Sequence, residues 1–164
     1  MLLKQFVSYA ILAGTVGAML SDFLAERLGR RYTLMIADLF LIGGAMTMSV
    51  SLGPMMLGLG RLLVGFGLGI EMNVAPIFLS ECSPIPIRQF IVQTFFFQVF
   101  LGLILSYCSG LIFPGKLLYM FGFAMVPAIL QFLIMMFSQK EPAVFLARCG
   151  NIKLAEKSLL TFYT

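Results

Sequence analysis

The chain has 164 residues, 60% of them hydrophobic and 11% charged, with a formal net charge of +4. Ordinary soluble domains run at about 45–50% apolar and about 25% charged. At a mean hydropathy of +1.02 a water-soluble fold of this length could not bury its apolar surface, so lipid must solvate part of it. A disordered chain and an ordinary soluble catalytic domain are thereby excluded. The sequence contains no His, which excludes imidazole catalysis and His metal ligation. Cys82, Cys108 and Cys149 are widely spaced, form no metal or disulfide pattern, and read as small buried hydrophobes. The basic residues sit at the edges of apolar runs and form no stripe that would meet nucleic acid.

Gln5 to Ser21 carries no charge, and Asp22 to Arg31 then holds five charges in ten residues. Tyr32 to about Leu52 is apolar except for Asp38, and Gly53-Pro54 breaks the run. Met55 to about Leu79 is apolar except for Arg61 and Glu71. A polar stretch from Ser80 to Gln89 contains Pro84 and Pro86. Phe90 to Phe113 and Leu117 to Gln139 are free of charge, with Pro114-Gly115-Lys116 as the turn between them. These runs predict five transmembrane helices near 4–24, 33–52, 55–79, 90–113 and 117–138, each close to the roughly 20 residues that a bilayer core requires. The fold class is all-α, a multipass helical bundle over residues 1–139. Residues 140–164 read as the start of an amphipathic interfacial or cytosolic helix, because Lys153, Glu156 and Lys157 alternate with Leu154, Leu159 and Leu160.

Loop charges orient the bundle. Arg27, Arg30, Arg31, Arg88, Lys140, Arg148, Lys153 and Lys157 fall on one side, and only Lys4 and Lys116 on the other. The positive-inside rule then puts the N-terminus outside and the C-terminus in the cytosol. The arginines follow the first apolar run, which makes it an N-out anchor and not a secretory signal. Five helices beginning outside are an awkward topology and suggest a missing first helix.

Small residues mark helix contacts. Ala10, Gly14, Gly17, Ala18 and Ser21 share one face of the first helix, and Gly65 and Gly69 repeat at four with Gly67 between them. Glu26, Arg27, Arg30 and Arg31 lie in the first charged turn, Glu81 and Arg88 flank the second, and Glu141 opens the tail. Acids and arginines meeting at one membrane face can latch helix ends together and release them when helices move. Anchoring of topology alone would account for any one of these charges.

The chain resembles the sugar porter family of the major facilitator superfamily. The residues that carry the likeness are Glu26-Arg27-Leu28-Gly29-Arg30-Arg31, Arg61-Leu62-Leu63-Val64-Gly65-Phe66-Gly67-Leu68-Gly69 and Ala75-Pro76-Ile77-Phe78-Leu79-Ser80-Glu81-Cys82-Ser83-Pro84, followed by Arg88. Glu141, Phe145-Leu146 and Gly150 resemble a degraded form of the segment after the family's sixth helix. The resemblance implies that this chain is helices two to six of twelve, without the first helix and the second half. It implies alternating access, in which two halves rock around a sugar site at their interface. It also implies that Glu26, Arg27, Arg30, Arg31, Glu81, Arg88 and Glu141 form the cytosolic latch. Arg61 resembles a fourth-helix arginine that pairs with a first-helix acid in proton-coupled members. Glycine-rich faces are then expected to await the absent helices.

Departures from the family pattern bear on the substrate. Asp22 and Gln89 replace glycines, and Val144 replaces an arginine of the latch. Phe96 stands where the family has a sugar-binding Gln, and a phenyl ring offers no acceptor–donor pair. Gln93 and Gln98 are nearby, at helical angles that differ from Phe96 by roughly 60° and 160°, so Gln93 is the better substitute. Three intramembrane charges remain: Asp38, Arg61 and Glu71. Glu71 lies about 24 Å along its helix from Met55, where a lone charge is costly. It reads as a proton- or substrate-binding carboxylate, or as a protonated Glu held in a helix contact.

The expected function is membrane transport of a monosaccharide or polyol by a sugar-porter-like carrier, of which this chain is a fragment. The alternative is a non-transporting remnant or a membrane scaffold. Expected partners are the lipid bilayer, the small-molecule substrate, a proton as candidate co-substrate, and the missing transporter half or a second copy. No cofactor, metal, nucleic acid or enzymatic activity is expected.

Overall fold

The structure is a computed structural model that describes residues 2–51, 53–83, 85–113 and 117–137. It contains five long helices: α1 (Leu2–Leu28), α2 (Arg30–Ser49), α3 (Pro54–Cys82), α4 (Arg88–Ile112) and α5 (Leu117–Phe137), with a 3-10 turn at Ile85–Ile87 before α4. No strand occurs among the described residues. Five helices are long and apolar enough to cross a membrane. The shortest, α2 with 20 residues, spans about 30 Å.

Several helices run past their expected ends. α1 continues through Glu26 and Arg27 to Leu28, and α3 continues through Glu81 to Cys82. Charges mark where lipid gives way to water, whereas a helix ends only where its backbone hydrogen bonds can be satisfied otherwise. α2 stops at Ser49, short of the expected 52. The α1–α2 reversal is made by Gly29 alone, at φ 95. A side chain there would cost about 1–2 kcal/mol. Thr33 closes the new helix by donating its N–H and its hydroxyl to the Gly29 carbonyl, at 3.1 and 2.8 Å. Pro54 takes the first position of α3, where its missing N–H costs nothing.

The helices are held by backbone approach at glycine. A Cβ on Gly69 would collide with the carbonyl of Gly14, one on Gly65 with that of Ala10, and one on Gly17 with that of Phe66. α1 and α3 therefore touch backbone to backbone along this seam. Gly44 and Gly60 do the same between α2 and α3, where a Cβ on Gly44 would lie 2.6 Å from Val64 Cγ2. The expectation that these glycine faces stand open is corrected: they close on one another within the chain, because α3 lies between α1 and α2.

Leu34, Ala37, Ile70, Val74, Ala75 and Phe78, together with Ala25, make the core where α1, α2 and α3 converge. α5 lies along α2. Ser109 is the one buried residue of α4 among those described, and the helix turns most of its apolar side chains outward. Cys108 belongs to that outward surface and is exposed, contrary to the expected burial, while Cys82 is half-buried. A small apolar side chain suits a lipid-facing position as well as a core.

Candidate functional site

The basic end of the bundle gathers the C-termini of α1, α3 and α5 with the N-termini of α2 and α4. Arg30 opens α2 and Glu81 lies in the last turn of α3, and their side chains form an ion pair, Nε to Oε2, of 2.8 Å. Next to it Arg31 reaches α5. Its Nε donates to the Met135 carbonyl and an Nη to the Met136 carbonyl, each at 2.9 Å. These carbonyls belong to the last described turn of α5, where a cation suits both the outward-facing carbonyls and the dipole of a helix C-terminus. Arg27 turns back onto the Phe23 ring, 4.2 Å from its centroid. Glu26 and Arg88 are exposed, and neither joins an ion pair among the described residues. Glu141 and Val144 lie outside the described residues, as does the expected helix at 140–164. Of the seven latch candidates, the structure thus brings Arg30 and Glu81 into direct contact.

Arg61 leans over Phe121 of α5, 5.5 Å from the ring centroid. It borders a cavity of about 510 Å³ between α3, α4 and α5, lined also by Gln98, Ser106, Ser109, Met120 and Phe121. One cation, one amide and two hydroxyls give this otherwise apolar cavity donors and acceptors that fit a polyhydroxylated ligand or a polar group on a further helix.

The α4 candidates divide. Gln98 lines the cavity. Gln93 and Phe96 are exposed and do not, and Phe96 makes an edge contact with Phe95 at 5.5 Å between centroids. The helical offset that favoured Gln93 by closeness to Phe96 does not decide which residue meets Arg61. Gln98 lines the cavity that Arg61 borders, from the other side of the helix from Phe96.

The other two intramembrane charges lie deeper in the contact between α2 and α3. Glu71 accepts a 2.6 Å hydrogen bond from Gln131 Nε2 of α5. Asp38 is fully buried, and neither of its oxygens has a hydrogen-bond partner among the described residues. Sequence reasoning missed two polar ties. One is Gln131, an amide inside a charge-free run. The other is Asn73, whose Nδ2 donates to Ser21 Oγ at 2.9 Å and the Ala18 carbonyl at 3.3 Å across the α1–α3 glycine seam. The available signal was a lone amide within an apolar span, where an unsatisfied N–H is expensive.

A protein-family model described as Sugar (and other) transporter matches residues 1–162. The chain is 36% identical over 164 residues to Probable inositol transporter 2 of Arabidopsis thaliana, covering 98% of this chain and 28% of that protein. Inositol transporter 4 of the same plant is 35% identical over 142 residues, covering 85% of this chain and 24% of that protein. Among solved structures, the partially occluded inward-open conformation of the xylose transporter XylE from E. coli matches with a TM-score of 0.89 at 22% identity, over 99% of this chain and 44% of that one. The last likeness is one of fold. The chain spans less than a third of the length of these curated relatives. With its multipass helices and its match from end to end, the chain belongs to the Sugar (and other) transporter family and adopts part of the major facilitator fold.

Proposed function

We propose that the chain is the part of a sugar or polyol carrier that corresponds to helices two to six of a twelve-helix protein. The whole carrier works by alternating access, with a proton as co-substrate. The observation that carries this reading is the cavity of about 510 Å³ beside Arg61, with four polar side chains set in an apolar wall, in a family whose named relatives include inositol transporters. Hydroxyl-rich solutes are recognised by a few convergent amide, hydroxyl and cationic groups in an apolar wall. Arg61, Gln98, Ser106 and Ser109 supply that set. Arg30 and Glu81 serve in this reading as the part of the cytosolic latch that holds α2 to α3. The basic end faces the cytosol, and the N-terminus faces outside.

A substrate site between two rocking halves needs both halves. The 164-residue chain alone in proteoliposomes is therefore expected to give no saturable uptake of labelled hexoses or polyols. Saturable uptake by the isolated chain would favour a homo-oligomeric carrier or pore over the proposed role.

A further inference from the structure

Two carboxyl groups lie at neighbouring levels of α2 and α3 inside the membrane-spanning part of this bundle, and the cavity beside Arg61 does not account for them. Contacts between α2 and α3 fix their register. Gly44 abuts Gly60 and Val64, Phe40 and Phe66 meet ring to ring at 5.0 Å, and the Ala37 carbonyl crowds Gly67. The two helices thus run antiparallel, and continuing this register brings Asp38 and Glu71 to within about one turn of each other. Gln131 of α5 donates to Glu71 Oε1 at 2.6 Å, so three helices contribute to one polar junction. Asp38 is 0% exposed, with both carboxyl oxygens unpartnered among the described residues.

Two ionised carboxylates side by side in an apolar interior carry both a desolvation penalty and mutual repulsion. Among the described residues, the charged and titratable groups on the adjoining helices offer no countercharge at this level. On α2, Arg30 is engaged with Glu81 and Arg31 with the end of α5. On α3, Arg61 stands ten residues from Glu71, about 15 Å along the axis, and lies over Phe121. On α1, Tyr9, Asp22, Glu26 and Arg27 are exposed. α5 contributes Tyr119, which lies near the opposite end of its helix from Gln131.

We propose that Asp38 and Glu71 form one proton-binding site, in which the two carboxyls share a proton and Gln131 fixes the geometry of the Glu71 end. Loading forms an O–H bond between a proton from the aqueous phase and a carboxylate oxygen. Release breaks that bond and returns the proton. The amide occupies Oε1 as an acceptor, which leaves Oε2 of Glu71 and the two unpartnered oxygens of Asp38 to carry the proton. The inference deepens the proton-coupling element of the proposed carrier and rests on that reading for its role in transport. The site itself is tested without transport.

The test is infrared spectroscopy of the 164-residue chain in lipid nanodiscs at neutral pH, reading the C=O stretch of protonated carboxyls in water and in D2O. The expected result is a deuterium-sensitive band that is the same in sodium and choline buffers. The band is lost in the double variant Asp38→Asn/Glu71→Gln and retained in Asp22→Asn. Gln131→Leu, which removes only the donor to Glu71, is expected to shift the band, and it keeps the test decisive if the double variant does not fold. A band absent from the wild type, unmoved by Gln131→Leu or surviving the double variant would overturn the proposal. A band suppressed by sodium would replace it with a sodium site. If transport fails in every completed carrier while the band behaves as expected, the carrier reading falls and the proton site stands.

Discussion

Arg30 and Glu81 form a 2.8 Å ion pair across the α2–α3 contact, with their side chains only 10% and 15% exposed. A charge left behind in such a place has little solvent to relax into. Removing one partner of a buried pair costs about 3–5 kcal/mol. Arg30→Ala or Glu81→Ala is expected to destabilise the bundle by about 3 kcal/mol, the low end of that range, because some water reaches the pair. Arg88→Ala, at an exposed position, is expected to change stability by less than about 0.5 kcal/mol. Denaturation in mixed detergent micelles compares the three. Equal losses for Arg30 and Arg88 would mean that the pair is not what secures this end of the bundle.

The glycine seam gives a prediction of opposite signs at two glycines. Gly69→Ala places a methyl group against the Gly14 backbone and is expected to cost about 1–3 kcal/mol through overpacking. Gly43, by contrast, has nothing within 4 Å of where its Cβ would be. Gly43→Ala in mid-helix is expected to be neutral or to stabilise by up to about 1 kcal/mol. The same micelle assay reads both, and a Gly69→Ala protein as stable as the wild type would contradict the close α1–α3 approach.

Arg31 holds the end of α5 by two hydrogen bonds to carbonyls more than one hundred residues away in sequence. Arg31→Leu is expected to lower the opening free energy of the last turn of α5 by about 1–2 kcal/mol. Hydrogen exchange at Met135, Met136 and Phe137 would report this. Arg31→Lys should recover only part of the loss, because an ammonium cannot present the guanidinium's fixed fork to two carbonyls.

Much of this fold was legible in the sequence because lipid imposes one rule on the whole chain. Apolar runs of about 20 residues must be helices, and all five appear. The glycine and alanine spacing named the contact faces of α1 and α3. It did not name their partners, since a small-residue stripe specifies close approach and not what approaches. Helix ends were less legible: Ala25 to Leu28 and Ser80 to Cys82 are polar enough to read as loop yet continue the helix. At the basic end, Arg30 and Arg31 looked equivalent. One residue along a helix turns a side chain by roughly 100°, which sends one to Glu81 and the other to α5. Gln131 was hidden for the reason that made α5 easy to find, an uncharged run in which one amide barely registers.

The cavity beside Arg61 makes a prediction about substrate contact. In a completed carrier, Gln98→Leu is expected to weaken solute binding about tenfold, near the 1–1.5 kcal/mol of a hydrogen bond. Gln93→Leu, at a position that does not line the cavity, should leave binding unchanged. Equilibrium binding of labelled inositol or hexose measures both. The reverse ranking would place the solute on the other side of α4.

The central claim is that this chain supplies a working part of a sugar or polyol carrier, and a chimera tests it most directly. Residues 1–137 would replace the matching segment of the Arabidopsis inositol transporter 4, and uptake of labelled inositol and hexoses would be measured in vesicles. The account predicts saturable uptake of at least one of these solutes, reduced when Gln98 or Arg61 is replaced by Leu. A chimera that inserts and folds yet moves and binds none of them would contradict it, and would leave the chain as a membrane scaffold that shares the fold without the function.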